Sequence, residues 1–239
     1  MEKQPKRWSA DEITKFFDIT RNNQFATFSN NHDAFGRYID IDLGFRQLIS
    51  DGLHHSKLWF SGFFVTRAHS AFLAATSAAC SGQVVEAYAL NRVVLEHALY
   101  GFFLARKPDL REVWLKRHND EASLREVKRT FKITDMIDEL AIIDANEAKV
   151  ADELYQRTID HGAHPNERAL MQGLADEKMG EDIRFNTNYL FPTGAPLELC
   201  HKTTAQVGVC TLSMFRPLMK ERYDVLDLTG RLDHLRKGL

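Results

Sequence analysis

The sequence has little cysteine: Cys80, Cys200 and Cys210 are an odd set whose spacing forms neither a CxxC pair nor a disulfide framework. That excludes a disulfide-stapled scaffold and leaves reduced, inert, buried thiols as the expectation. Charge of one sign is also missing. The 31 Lys and Arg nearly balance the 33 Asp and Glu, for a formal net charge of −2, so bulk electrostatics give no reason to expect nucleic acid or an anionic membrane as partner. No apolar run of membrane length is free of charge. The longest, Val84 to Ala105, contains Glu86, Arg92 and Glu96, and each charge at mid-bilayer would cost roughly 2.5–3.5 kcal/mol. The opening MEKQPKRW lacks the apolar stretch of a signal peptide, so a cytoplasmic protein with no membrane span is the expectation. A Walker loop, GxGxxG, GxSxG and HExxH are all absent, which removes the commonest nucleotide-binding, hydrolase and zincin classes.

What is present is helix. Gln83 to Lys107, QVVEAYALNRVVLEHALYGFFLARK, is apolar almost all the way round and reads as the helix on which the rest packs. Its few polar residues, Glu86, Asn91, Arg92, Glu96 and His97, must then find partners inside the protein. Trp59 to Cys80, aromatic at its start and rich in Ala, Ser and Thr towards its end, should lie antiparallel to it across a turn at Ser81-Gly82, with Arg67 or His69 facing inward. With no repeat or linker, the spacing predicts one all-α domain over 1–239, an antiparallel up-and-down bundle of about four long helices with shorter ones added, which needs no cofactor to fold.

Around these two helices the signals are more local. Ser9 and Glu12 form a capping box, with Trp8 stapling onto Ile13, for a short first helix ending near Thr20. The Asn-rich stretch 21–32 reads as a loop, so that 1–32 is a helix and loop packed on the bundle. Asp33 caps a helix to about Ser50, and Asp51-Gly52 with His54-His55 marks its end or a kink. Leu110 to Phe131 reads as one solvated helix, Ile133 to Ile143 as another, and Asp144 to His161 as a third, stopped by Gly162 in a left-handed turn. His164 should be extended before Pro165, which starts the helix PNERALMQGLA. The stretch 175–196 reads as an irregular loop with a short strand as an option, followed by a helix from Leu197 to Arg222 and a last one from Tyr223 to Lys237.

Two constellations carry chemistry. Arg92 and Glu96, four residues apart, share a face of the central helix among Val85, Leu99 and Phe103. Such a buried pair either fixes helix register or anchors a ligand. Asp160, His161 and His164 gather where one helix ends and the next begins, a place with free backbone donors. Their spacing matches no recognised zinc helix, no cysteine is near, and no metal is expected. Ligand-binding candidates are therefore Arg92, Glu96, His161 and His164.

Arg92-Val-Val-Leu-Glu-His97 fits the Arg-x4-6-His pattern of the HEPN ribonucleases, and the same spacing recurs at Arg111–His118 and Arg157–His164. The resemblance implies metal-independent RNA cleavage, with His97 or His164 as acid and base and Arg92 stabilising the phosphorane charge. From Arg67 to Leu174 the chain also resembles uncharacterised bacterial all-helical families, some of them HEPN-like, through Gly82, Glu86, Ala87, Arg92, Glu96 and His164-Pro165. That resemblance implies that Arg92, Glu96 and His164 meet in one polar cluster, and it implies no established activity. Two readings follow: a non-catalytic binding or self-associating protein, with a homodimer or a small anionic ligand as partner, or a ribonuclease acting on RNA.

Overall fold

The computed structural model describes residues 5–54, 56–165, 167–179 and 182–239. The first helix, α1 (Glu12–Asn30), starts where the Asp11 carboxylate accepts the Thr14 N–H at 2.8 Å. Asp11, not Ser9, is the cap; Ser9 has a left-handed φ of 64° and donates instead to Asp18, which Trp8 also reaches through its indole N–H. Trp8 packs on Phe17 rather than on Ile13. The expected loop over 21–32 is helical as far as Asn30. Its polar residues are satisfied across the fold: Asn23 and Gln24 donate to Ser81 and Ser77, and Thr27 donates to the Cys80 carbonyl. Tertiary partners thus outweigh the local turn preference of Asn.

Helix α2 (His32–Gln47) is capped by Asn31 rather than Asp33 and runs into a π-turn at Leu48–Gly52. His54 follows that turn, and His55 lies outside the described residues. Helices α3 (Trp59–Cys80) and α4 (Val84–Arg106) form the expected antiparallel pair. Gly82 turns the chain between them at φ 82°, where any Cβ would also meet the Phe191 carbonyl. Inside this pair His69 is the residue that faces inward, its Nε2 hydrogen-bonded to Asp42 at 2.6 Å and its ring stacked on Phe45, while Arg67 is exposed.

The next stretch breaks where one helix was expected, into α5 (Leu110–Leu115) and α6 (Glu121–Thr130), because the extended Asp120 caps Ser123 and restarts the chain. Helix α7 (Ile133–Ile143) precedes α8 (Ala145–Thr158), which Asp144 caps and a π-turn at Ile159–Ala163 closes. Gly162 has no left-handed φ. It is needed for close approach, since a Cβ there would sit 2.2 Å from the Val85 carbonyl oxygen of α4. His164 is extended (φ −133°, ψ 147°) before Pro165, as its place predicts. Asn166 lies outside the described residues, and the helix after it, α9 (Glu167–Met171), is only five residues long.

Instead of an irregular loop, an antiparallel hairpin follows, β1 (Leu174–Met179) and β2 (Asp182–Thr187), with Leu174 opposite Thr187. Gly180 lies outside the described residues. Helix α10 (Ala195–Phe215) ends seven residues before the expected Arg222, because Pro217 lacks the N–H the next turn would need; a 3-10 turn, α11 (Lys220–Val225) and α12 (Leu228–Leu235) complete the chain.

The packed helices make an all-α bundle. Helix α10, not α4, is its most enclosed member: 15 of its 21 residues are buried, against 12 of 23 in α4. It packs on α2, α3, α4 and α8. Gly208 makes this possible, because a Cβ there would lie 2.7 Å from both Ile41 on α2 and Phe72 on α3. No helix among the described residues is long and apolar enough to cross a membrane.

Candidate functional site

Arg92 and Glu96 do form a pair, with Nε to Oε1 at 2.8 Å, but the third member is Tyr155 of α8. The Arg92 guanidinium lies over the Tyr155 ring, 5.2 Å from its centre, and the Tyr155 hydroxyl donates to Glu96 at 3.2 Å. The cluster is half-buried rather than sealed, with side-chain exposures of 24% and 33% for Arg92 and Glu96. Partial burial works against the Arg92 charge, and Glu96 more than offsets it, raising the guanidinium further above its ordinary range.

His164 does not join this cluster. It is exposed on the chain leaving the π-turn, which packs against the start of α4 around Val85 and Tyr88, short of Arg92. Nor do Arg92 and His97 converge. Five residues at about 100° each put them roughly 140° apart around α4. His97 bonds the Val93 carbonyl at 2.7 Å and borders a groove with Phe64, Tyr100, Trp114, Arg117 and Glu96, the last of which also pairs with Arg92, although Arg92 itself does not line the groove. His161 stacks on Tyr88 with ring centres 5.0 Å apart, and burial holds its imidazole below the ordinary pKa. Asp160 faces Arg168. Among the described residues no group of three or more His, Cys, Asp or Glu side chains is arranged to hold a metal ion.

The deepest polar cluster lies one position before Arg92. Asn91 is fully buried and donates to Thr204 of α10 at 2.8 Å. One turn back on α10, His201 is buried beside Tyr38 of α2, whose hydroxyl lies 2.8 Å from Nδ1 and 3.3 Å from the His201 carbonyl. One arrangement of protons uses both contacts: Nδ1–H donates to Tyr38, and Tyr38 donates to the carbonyl. Nε2 is then a bare lone pair; with Tyr38 donating to Nδ1 instead, it is an N–H. It is fully enclosed and has no partner in the protein. Burial lowers the His201 pKa from 6.5 to about 4, so the ring is neutral at neutral pH, and pushes the Tyr38 phenol well up.

His201 borders a cavity of about 210 Å³ that also meets Asn23, Thr27 and Asn31 of the α1–α2 corner, Cys80 at the end of α3, and Glu198 in the first turn of α10. The loop 191–194 closes it, held by the Phe191 N–H on the Gly82 carbonyl at 2.8 Å. No Lys or Arg lines it. Cys80 is no nucleophile there, since burial pushes its thiol up to about 12, as it does that of Cys200. The cavity can therefore offer amides, hydroxyls and the Glu198 carboxylate, and its lining holds no Lys or Arg to neutralise an anion.

Neither His201 nor Tyr38 stood out in the sequence. The available signal was the stretch Thr203 to Phe215, which carries no charged residue over more than three helical turns. Such a helix is enclosed on every side, and a histidine at its edge is enclosed with it. Comparison with family models, curated proteins and solved structures finds no match for this chain, so the class the fold and site define is an all-helical protein with a partly open pocket beside His201.

Proposed function

We propose that this protein is a non-catalytic helical binding module that takes a small uncharged ligand in the His201 cavity. The observation that carries the reading is the pocket of about 210 Å³ itself, which His201 borders with Asn23, Thr27, Asn31 and Glu198 and without Lys or Arg. The absence of Lys and Arg from the lining supports an uncharged ligand over an anionic one. Arg92 and Glu96 are assigned to holding α4 against α8. The RNA-cleavage reading is the less favoured, since Arg92 and His97 lie roughly 140° apart around α4 and only Glu96 lies both in the His97 groove and beside Arg92.

The test is nuclear magnetic resonance of the imidazole nitrogens during titration with 1-propanol, a hydroxyl probe small enough for the cavity alone. A saturable shift of the His201 Nε2 signal is expected, with His161 and His97 unmoved. A His201 ring that does not respond before the protein itself unfolds would overturn the reading.

A further inference from the structure

The groove beside His97 holds the charge and aromatic area that the His201 pocket lacks. It measures about 260 Å³ and is lined by Phe64 of α3, Glu96, His97 and Tyr100 of α4, Trp114 of α5 and Arg117 in the turn that follows. Its rings form one connected set. Trp114 meets Phe64 edge-on with ring centres 5.2 Å apart, and Phe64 stacks on Tyr100 at 6.3 Å with the planes 16° apart. Helix α5 has no fully buried residue, so the half-buried Trp114, packed on Phe60 and Phe64, keeps part of its surface on the groove. The two charges in the lining are not equivalent. Glu96 is neutralised by Arg92 at 2.8 Å and also accepts from Tyr155, whereas among the described residues no carboxylate lies within ion-pair distance of Arg117. Both charges reach the Tyr100 hydroxyl: burial raises that phenol above its ordinary pKa, Arg117 opposes the rise and Glu96 adds to it.

We infer that this groove is a second ligand site, for a planar aromatic ring that carries an anionic group: the ring lies against Trp114, Phe64 and Tyr100, and the anion takes the Arg117 guanidinium. The site does not depend on the His201 pocket or on the function proposed above. Charge selects the anionic end. A guanidinium without a carboxylate presents a planar fork of N–H donors that fits a carboxylate or phosphate with two parallel hydrogen bonds, and half-burial among rings leaves Arg117 less screened than a charge in open water. Glu96 recruits no amine, because its own charge is already met by Arg92. The aromatic walls select the other end, since rings attract rings in offset or edge-on contact and a saturated ring of the same size gains only the burial of area.

The experiment measures binding of 2-naphthoate, 2-naphthalenemethanol, 2-naphthylmethylamine and decahydro-2-naphthoate by calorimetry, with the Trp114 indole N–H and the His97 imidazole followed by nuclear magnetic resonance, in wild type and in Arg117→Gln. Because Arg117 makes no ion pair among the described residues, the fold tolerates that substitution. 2-Naphthoate is expected to bind roughly tenfold more tightly than the alcohol or the amine, to weaken as salt is raised, and to shift Trp114 and His97 with His201 unmoved. In Arg117→Gln its advantage over the alcohol should largely vanish. The saturated acid should bind about threefold more weakly than 2-naphthoate. An amine that binds as tightly as 2-naphthoate would hand the groove to Glu96 and overturn the inference. So would a saturated acid that binds equally well, an advantage retained in Arg117→Gln, or Trp114 and His97 signals that stay fixed up to millimolar probe. None of these outcomes bears on the His201 pocket, which 1-propanol tests separately.

Discussion

His201 shows how one side chain can be set by what it lacks. Desolvation holds its pKa at about 4, against 6.5 for the ordinary imidazole, so the folded state binds the proton more weakly than the unfolded chain. Its contribution is therefore fully present above the unfolded value and is lost as pH falls from about 6.5 through about 4. Integrated over that window the loss approaches about 3 kcal/mol. His201→Gln, which keeps a polar contact to Tyr38 but does not titrate, should flatten the acid limb of a urea-denaturation profile between those two values. An acid limb as steep in the variant as in wild type would show that His201 is not held neutral. The Arg92–Glu96 pair was legible because its spacing alone places both groups on one helical face. Its partner Tyr155 was not, because 59 residues separate it from Glu96 and only the packing of α8 on α4 brings them together.

At the scale of the element, α10 is built to be approached. Gly208, Thr203, Thr204, Thr211 and Ser213 keep its surface narrow, and Ile41 and Phe72 close onto it. Gly208→Ala would ordinarily favour a helix by about 0.8–1 kcal/mol. Here the new methyl meets Ile41 and Phe72 at 2.7 Å, so overpacking is expected to win, with a net loss on the order of 1–2 kcal/mol. Chemical denaturation should read this as a lower midpoint with an unchanged slope; a stabilised variant would mean that α2 and α3 can move away freely. The same small residues explain why α4, on which α3, α7, α8 and α10 do pack, was legible and the enclosure of α10 was not. The Leu, Val and Phe content of α4 announces burial, whereas the Thr, Ser and Cys of α10 hide it. The break between α5 and α6 was missed for the converse reason: the outward charges run on without interruption while Asp120 restarts the backbone.

For the whole molecule, the two ends of the chain are fastened differently. The C-terminal helix α12 is held by Arg236, which pairs with Glu147 of α8 and donates to Ser213 of α10 at 2.8 Å. Burial of Glu147 raises its pKa, with Arg236 opposing that effect. Arg236→Met would leave the carboxylate enclosed and unpaired, at a cost on the order of 2 kcal/mol, below the full value for a sealed pair because Arg236 keeps some solvent contact. The loss should grow as pH rises through the Glu147 titration and fade in acid, where protonation removes the charge. Denaturation midpoints for Arg236→Met measured on both sides of that titration check it, and a pH-independent loss would contradict it.

The sequence by itself determined that the chain is helical, where α3, α4 and α7 run, which way α3 and α4 pair, and that no helix among the described residues would cross a membrane. Periodicity, composition and caps act over a few residues, and those are what a sequence displays directly. The tertiary structure alone decided that α1 continues through its Asn-rich stretch, that α10 is the helix with the largest share of buried residues beside α4, and that Tyr38 and His201, 163 residues apart, share a hydrogen bond beside a pocket. Each of these depends on which groups lose water together, and that is settled only when distant segments pack against one another.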